Sequence, residues 1–427
     1  MTSGSPPKES SGTDAAYGAR HPHASQARFA ACRALKIAGR RHTRGRIDFL
    51  EFAPSVSDAT EFTDLSTRVA CYLGDAGLPL YLPGPRFSLD PAATPFFEPS
   101  LVRDPGWLHE RPAGRAGLVV HRLTPRTLKR ILVGPSPSTS VDTRLHAYSE
   151  LQYFVLRNAA SWPTYAPVET ALERLRSITD GARGLDAFIL ATGPSAVDVD
   201  LSAVDAAVRI TCNSAVRDMD RIRAFRPNII ACTDPVFHLG PSRYAAAFRA
   251  DLIRAAEESD AIVVAGSDWA GPLLGLCPEL HGRLAVIPFE AGGPWRWPTS
   301  RDPTVRPSSS VLTNLMLPLA LMLADDVQIA GADGRQTTET YFWRHNKSLQ
   351  YSDDLMQTVF DAHPAFFRDR DYEDFYDGYC QDVEALASLG EATGKTVRAA
   401  APSWIPALRR RGAPAPSTTT GRGQPAG

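Results

Sequence analysis

Short apolar runs alternate with longer amphipathic segments through the second half of the chain. The run at 185–191 is bounded by Gly184 and Gly193, which is the pattern of a strand buried on both faces of a parallel sheet. Further strands are predicted at 207–212, 228–233, 261–265, 284–288 and 326–330, and helices at 197–207, 218–225, 244–259 and 311–324. This alternation predicts an α/β fold built on a Rossmann-like, doubly wound, mostly parallel sheet.

The pattern before residue 165 is less regular. Short strands are predicted at 46–52 and 117–121 and a helix at 140–158, and prolines are frequent, which together indicate a smaller α/β region. A further helix, predicted at 167–178, leads into the strand at 185–191. Both ends of the chain are rich in Ser, Gly and Pro, and such segments cannot bury enough apolar surface to fold. The predicted organisation is a disordered segment at 1–27, an N-terminal accessory α/β domain at 28–165, a Rossmann-like domain at 166–408 and a disordered tail at 409–427.

Composition narrows the possible partners. The chain has 427 residues, 43% of them hydrophobic, and a net charge of -1, so it can form two domains but has no general attraction to nucleic acid. The six cysteines lack the paired spacing of a zinc site or a disulfide framework, which indicates reduced thiols and a cytoplasmic location. The basic run from Arg28 to Arg46 is either a solvated helix face or a contact with an anionic partner. That partner is anionic lipid at the inner face of the membrane or an anionic acceptor glycan. The oligomeric state stays open.

Polar residues and glycines follow several of the predicted strands. The turn Thr192-Gly193-Pro194-Ser195 follows the first of them, and free N–H groups at such a turn attract phosphate; an ordinary strand-to-loop corner is the alternative. The carboxyl ends of parallel strands share one edge of a sheet, where ligands bind close to the point at which strand order reverses. Five residues are therefore expected to converge on one crevice: Gly193, Ser195, Asn213, Asp234 and Asp333.

Five short motifs carry a resemblance to a known family. They are Ala-Thr-Gly-Pro-Ser at 191–195, Cys-Asn at 212–213, Thr-Asp-Pro-Val-Phe at 233–237, Arg-Pro-Ser-Ser-Ser at 306–310 and Ala-Gly-Ala-Asp at 330–333. In order and spacing they resemble the motifs of bacterial sialyltransferases that extend lipo-oligosaccharides and capsules from CMP-sialic acid. The resemblance covers about 184–402. It implies an inverting, metal-independent glycosyltransferase with no cofactor, which moves a sialic acid-like sugar from a CMP-activated donor to a hydroxyl of an acceptor glycan in surface polysaccharide.

The resemblance also implies roles for single residues. Thr192 to Ser195 match the loop that cradles the nucleotide phosphate, Asn213 matches a donor contact, and Asp234 stands where the family has an asparagine. Ser309 and Ser310 match a helix N-terminus that faces the nucleotide. Tyr341 matches a tyrosine that binds the departing phosphate. The chain departs from the family at three positions. The family has an asparagine where this chain has Thr192, a glycine where it has Ser310, and a second tyrosine where it has Arg335. An arginine can pair with a phosphate more strongly than a tyrosine can.

The transfer needs a base for the acceptor hydroxyl, a role that suits histidine. His345 and His363 both follow the strand that ends before Asp333. His345 is preferred because Tyr341, Arg344 and Asn346 surround it in sequence with polar groups. Neither histidine aligns cleanly with the family's base, whose place is closer to Tyr379 and Cys380.

Two other functions stay open at this point. The first is a nucleotide-dependent phosphotransferase, because pterin diphosphokinases of a related superfamily share the Gly-Pro-Ser loop. The acidic stretch with which those enzymes bind magnesium is missing here around Asp234, which argues against this function. The other possibility is a non-catalytic sugar-nucleotide-binding module of a polysaccharide assembly complex.

Overall fold

The structure is a computed structural model. It describes residues 46–73, 78–89, 106–134, 136–140, 151, 154–155, 158, 168–240, 242–290, 292–308, 310–335, 351, 353–362 and 372–412. Several sequence-based predictions lie outside these residues: the roles of Ser309, Tyr341, His345 and His363, the basic run before Arg46, and the disordered segments proposed at 1–27 and at the end of the tail.

The N-terminal region contains a five-stranded sheet in the order β3-β2-β1-β4-β5, and every pair of neighbouring strands is parallel. Its strands are β1 (Phe49–Ala53), β2 (Leu80–Tyr81), β3 (Trp107–Leu108), β4 (Ala116–Val120) and β5 (Ser138–Ser140). Helix α1 (Ala59–Leu73) follows β1 and helix α2 (Pro125–Val133) follows β4. The α/β region and the strands expected at 46–52 and 117–121 are confirmed. The described residues of the helix expected at 140–158, which are 151, 154, 155 and 158, are helical.

The larger sheet has seven parallel strands in the order β10-β9-β8-β7-β6-β11-β12. They are β6 (Asp186–Leu190), β7 (Val208–Cys212), β8 (Ile229–Cys232), β9 (Ile262–Gly266), β10 (Leu284–Ile287), β11 (Asp326–Ala330) and β12 (Thr396–Ala399). The chain builds outward from β6 to β10 and then returns to add β11 and β12 on the other side of β6. Strand order therefore reverses between β6 and β11, which is the place where doubly wound sheets bind ligands.

Helices connect and cover these strands. They are α3 (Val168–Ser177), α4 (Met219–Phe225), α5 (Pro235–His238), α6 (Arg243–Ser259), α7 (Ser267–Leu276), α8 (Leu317–Leu323), α9 (Asp353–Ala362), α10 (Tyr372–Ala392) and α11 (Pro406–Arg410). The Rossmann-like fold and six of the seven strands are thus as the apolar pattern predicts.

One predicted helix is wrong. The segment 197–207 contains only the end of a short 3-10 turn, Pro194–Asp198, and a second one, Leu201–Ala203. The Asp200 carboxylate accepts a hydrogen bond from the Ser202 backbone N–H at 3.1 Å and from the Ser202 hydroxyl at 2.6 Å. Such local side-chain contacts give the backbone an alternative to the α-helical ladder, and the apolar spacing of the segment does not reveal them.

The core lies on both faces of the larger sheet. Phe188 and Leu190 of β6 belong to one apolar cluster and Ala187 and Ile189 to the other, as the alternation of a central strand requires. The apolar segment predicted at 311–324 is confirmed as a core helix, with a π-helical start at Leu312–Met316 that continues into α8. Among the described helices, none combines the length and the apolar character needed to cross a membrane.

Candidate functional site

Ser195 and Asp333 meet at the point where strand order reverses. The Asp333 carboxylate accepts the Ser195 backbone N–H at 2.9 Å on one oxygen and the Ser195 hydroxyl at 3.0 Å on the other. Both residues are buried, and burial raises the pKa of Asp333. The sequence analysis expected the two residues at one crevice, and the structure brings them into direct contact.

Two glycines allow the loops after β6 and β11 to approach this closely. The pairing of β6 with β11 continues beyond the strands, because the Gly193 N–H donates to the Gly331 carbonyl at 2.8 Å. A Cβ on Gly193 would clash with the Asp333 carboxylate, and one on Gly331, whose φ is +72°, would clash with the Ala191 carbonyl. Only glycine fits both positions without displacing the neighbouring loop.

Two N–H groups of the turn after β6 are engaged by the loop after β11. Gly193 donates to Gly331, Ser195 donates to Asp333, and Pro194 has no N–H to offer. These two N–H groups are thus already paired within the protein. A phosphate bound beside this turn therefore needs donors other than the N–H groups of Gly193 and Ser195.

A third loop covers the Asp333 turn from the side of β12. The Trp404 N–H donates to the Asp333 carbonyl at 2.6 Å, and the Ser403 hydroxyl donates to the Ala332 carbonyl at 2.7 Å. Ser403 is buried. The loops after β6, β11 and β12 therefore form one connected structure, which holds Asp333 by its backbone as well as by its side chain.

Arg335 lies at the end of the same loop, against helix α10. Its backbone N–H donates to the Tyr376 hydroxyl at 3.0 Å, and its guanidinium lies over the Tyr376 ring, 4.8 Å from the ring centroid. Burial raises the pKa of Tyr376, so the phenol stays protonated. This contact orients a cation at the carboxyl edge of the sheet, two residues beyond Asp333.

Tyr379 lies one turn further along α10 and is buried. Burial raises its pKa well above the usual value, and the nearby charges of Cys380, Tyr376, Cys212 and Asp333 raise it further. The sequence analysis noted this position only as the approximate place of the family's base; a phenol that stays protonated is a hydrogen-bond donor.

Asn213 follows β7, the neighbour of β6, and has a left-handed backbone with φ of +47°. Its side-chain oxygen is buried and has no hydrogen-bond partner within the described part of the chain. A buried amide oxygen of this kind costs free energy unless a ligand or water satisfies it. Asn213 is thus a polar group available one strand away from Ser195.

Arg221 of α4 contacts the far end of the Pro194–Asp198 turn. Its guanidinium donates to the Ala196 carbonyl, and its Nε is buried with no hydrogen-bond partner among the described residues. Burial lowers the pKa of Arg221, but an arginine remains charged at any ordinary pH. The sequence analysis did not identify this cation, since neither its spacing nor its neighbours distinguish it from other arginines on helices.

Asp234 lies apart from the Ser195–Asp333 pair. It follows β8, two strands from β6, a separation of roughly 10 Å at the usual strand spacing. Its carboxylate accepts the Phe237 N–H at 3.3 Å, and it lines an open pocket together with His238 and Trp269. Burial lowers the pKa of His238 to about 3, so this imidazole is neutral.

Ser310 begins the helical segment that leads into α8, as the family motif implies. Its hydroxyl accepts the Thr313 N–H at 3.4 Å and lies 3.1 Å from the Thr313 hydroxyl. Ser308 donates its hydroxyl to Asp382 of α10 at 2.6 Å, and its N–H to the Asn314 side chain at 2.6 Å. This network fixes the start of the segment against α10, and burial raises the pKa of Asp382.

Potential metal ligands do not gather anywhere in the described residues, where no group of three His, Cys, Asp or Glu side chains is positioned to hold an ion. The buried thiols of Cys212 and Cys277 have their pKa values raised by burial to about 12. They are therefore protonated and unsuited to nucleophilic chemistry.

Comparison with known proteins does not identify a family for this chain. No family model matches it, and no curated protein or solved structure shows significant similarity to it.

Proposed function

We propose that this protein is an inverting glycosyltransferase that moves a sialic acid-like sugar from a CMP-activated donor to a hydroxyl of an acceptor glycan. The proposal places the nucleotide at the carboxyl edge of the larger sheet, between the ends of β6, β7 and β11. It also places the reaction in the cytoplasm, where nucleotide sugars for surface polysaccharide are used, with the segment from Arg28 to Arg46 as a contact with the membrane.

The observation that carries the proposal is the position of Arg335 beside the Ser195–Asp333 pair. The Arg335 guanidinium lies over Tyr376 at the strand edge where open parallel sheets bind nucleotides. A guanidinium binds a phosphate with two parallel hydrogen bonds. The N–H groups of Gly193 and Ser195 are engaged within the protein. In this proposal the phosphate is therefore bound by Arg335 and by Tyr341, the residue that the family resemblance implies for this role.

The remaining residues then have distinct roles. Asp333 acts as a positioning residue, since it holds the Ser195 turn and its own oxygens are both in use. Asn213 offers a buried amide oxygen, which suits a donor group of the nucleotide such as an amine or a ribose hydroxyl. Thr192 is half-buried and lies in the turn itself, next to Gly193.

The chemistry is a single displacement at the anomeric carbon. The acceptor oxygen forms a bond to that carbon while the bond from the carbon to the phosphate oxygen breaks, and CMP leaves with the electron pair. His345 takes the proton of the acceptor hydroxyl, and Arg335 with Tyr341 stabilises the charge that develops on the departing phosphate.

Binding and turnover are tested separately. Thermal unfolding is measured with CMP, CTP, UDP and ATP, each with and without magnesium, and release of CMP from CMP-N-acetylneuraminic acid is followed with a mixture of glycan acceptors. We expect CMP to stabilise the protein without magnesium. Arg335→Ala should weaken CMP binding about tenfold to a hundredfold, the effect of losing a hydrogen bond to a charged group, whereas Arg301→Ala, at an exposed position far along a loop, should not.

His345→Ala separates an enzyme from a binding module. We expect this variant to keep the stabilisation by CMP and to lose turnover, while His281→Gln keeps both. Stabilisation by ATP with magnesium alone would refute the proposal in favour of the phosphotransferase. Stabilisation by CMP without turnover in the wild-type protein, over the whole acceptor mixture, would refute catalysis in favour of the binding module.

A further inference from the structure

The N-terminal sheet contains a second point at which strand order reverses. Its first strand, β1, lies in the middle of the order β3-β2-β1-β4-β5, with β4 on the opposite side from β2. Both β1 and β4 end at the same edge because they are parallel. The rule that places ligands in doubly wound sheets therefore points to the crevice beyond Ala53 and Val120 as a candidate binding position.

An unsatisfied imidazole lies at this edge of the sheet. His121 directly follows β4 and is only 6% exposed, and within the part of the chain that the structure describes neither of its ring nitrogens has a hydrogen-bond partner. Burial lowers the pKa of His121 to about 4, so the ring is neutral at physiological pH. A neutral imidazole has one donor and one acceptor nitrogen, and leaving both buried and unpaired costs free energy.

Two charged side chains, Glu61 in helix α1 and Arg122 in the loop after β4, lie near His121. Glu61 of α1 interacts electrostatically with His121, and Arg122 approaches Glu61 to 4.0 Å. Arg122 also acts on His121, in the direction that lowers its pKa. The crevice therefore contains a carboxylate and a guanidinium that offset each other, beside a neutral ring.

The start of α1 is already occupied by carboxylates. The Ser57 N–H and the Ser57 hydroxyl both donate to Glu61, at 2.9 and 2.8 Å, and the Glu61 N–H donates to Asp58 at 2.8 Å. These two acids satisfy N–H groups that would otherwise bind a phosphate, and their charge opposes an anion. The chemistry of the crevice is thus unfavourable for a nucleotide.

We propose that the crevice between the ends of β1 and β4 binds a neutral, hydroxyl-rich ligand of the carbohydrate class, whose hydroxyls pair with the two ring nitrogens of His121 and with Glu61. A hydroxyl both donates and accepts, which is what the free donor and acceptor of a neutral imidazole require. The proposal rests on the function given above, in which it supplies the site for the acceptor glycan. Helix α1, which starts at this crevice, contacts α7 of the larger sheet, and both helices begin at the carboxyl end of a strand.

Histidine-selective NMR tests this site on the full chain. The protein is labelled with ¹⁵N and ¹³C in its histidine rings, and the His121 signal is assigned with His121→Asn. Lactose, maltose and chitobiose are the saccharide probes, with CMP and inorganic phosphate as the anionic ones. We expect at least one saccharide at millimolar concentration to shift the His121 signal, and CMP and phosphate to leave it unchanged.

Variants then test whether the imidazole binds the saccharide. His121→Phe, which fills the space without ring nitrogens, and Glu61→Gln should each weaken the saccharide response by at least tenfold, and His281→Gln, at an exposed position, should not. If phosphate or CMP shifts the His121 signal, the crevice is an anion site and the proposal is overturned. If no saccharide shifts it, His121 is a core residue, and the proposal is overturned equally.

Failure here is distinguishable from failure of the proposed function. Stabilisation of the protein by CMP depends on the larger sheet and should persist in His121→Phe. A wild-type protein that ignores CMP but shows the His121 response to a saccharide would refute the nucleotide-dependent transfer and leave the saccharide site standing.

Discussion

The Asp333 carboxylate binds Ser195 twice, through the backbone N–H and through the hydroxyl. The two residues are 138 positions apart in the chain and lie on the loops that follow adjacent strands, β6 and β11. The pair therefore ties together the two halves of the sheet at the point where its strand order reverses.

Replacing Asp333 should destabilise the protein. Asp333→Ala leaves the buried N–H and hydroxyl of Ser195 without an acceptor, and we expect a loss of about 2–3 kcal/mol in the free energy of unfolding. Urea denaturation measures it, with Asp186→Asn, at an exposed position on β6, as the control. In a double-mutant cycle with Ser195→Ala, coupling energies near zero would contradict the contact.

Replacing Tyr376 should separate its two contacts with Arg335. Tyr376→Phe removes the hydroxyl that accepts the Arg335 N–H at 3.0 Å and retains the ring beneath the guanidinium. We expect a loss of about 1 kcal/mol in stability and nearly unchanged CMP binding, whereas Tyr376→Leu should also weaken CMP binding because the guanidinium loses the ring. Equal CMP binding by both variants, measured by calorimetry, would rule out a role for the ring in orienting Arg335.

Acidification should destabilise the protein through two buried histidines. The folded pKa values of about 4 for His121 and about 3 for His238 lie below the ordinary value of 6.5, so the unfolded chain binds protons that the folded protein excludes. Stability should be fully present above pH 6.5 and fall by up to about 1.4 kcal/mol per pH unit for each histidine as the pH decreases toward 4.

Other groups modify this dependence in known directions. The pKa of Asp333 is raised by burial, so this residue adds stability as the pH falls and offsets part of the loss caused by the histidines. The pKa of Glu384 is lowered to about 2, so the stability that Glu384 contributes is lost only as the pH falls below its ordinary pKa of 4.5. Urea denaturation between pH 7.5 and 4.5 measures the slope. We expect His121→Gln to reduce the slope between pH 6.5 and 4.5 and His281→Gln to leave it unchanged; an identical slope in both variants would contradict the burial of a neutral His121.

Arg411 should stabilise the C-terminal end of the described chain. Its guanidinium donates two hydrogen bonds to Glu384 and two to Glu391 of α10, at 2.6–3.0 Å, and its side chain is only 12% exposed. Both carboxylates are more than a third exposed, and solvent therefore weakens the pairs. We expect Arg411→Ala to cost about 1–2 kcal/mol in the free energy of unfolding. Arg409→Ala, at an exposed position in α11, which ends immediately before Arg411, should cost nothing measurable by urea denaturation.

The buried strands of the larger sheet were predictable because each is a short apolar run between glycines and polar residues. Strand β12 was not predictable in this way because it is an edge strand and has no apolar run. Its residues Thr396 and Arg398 are exposed, and only Val397 and Ala399 are buried. The sequence analysis also identified Ser195 and Asp333 as ends of strands. Whether they bind each other or a ligand depends on which strands are neighbours, and hydrophobic spacing contains no information about that.

The same limit applies to residues that the sequence analysis missed. Tyr376 and His121 carry no motif, and their importance comes from burial and from which loop lies opposite. A histidine or tyrosine in an apolar neighbourhood is most often a packing residue. What distinguishes His121 from that case is that its imidazole has no hydrogen-bond partner among the described residues.

The bond from Trp404 to the Asp333 carbonyl has a consequence for biosynthesis. Trp404 is made after every strand of both sheets, so a chain still emerging from the ribosome has β6 and β11 available but lacks the loop that encloses the Asp333 turn. The enclosure of the Asp333 turn can thus be completed only after every strand of both sheets has been synthesised.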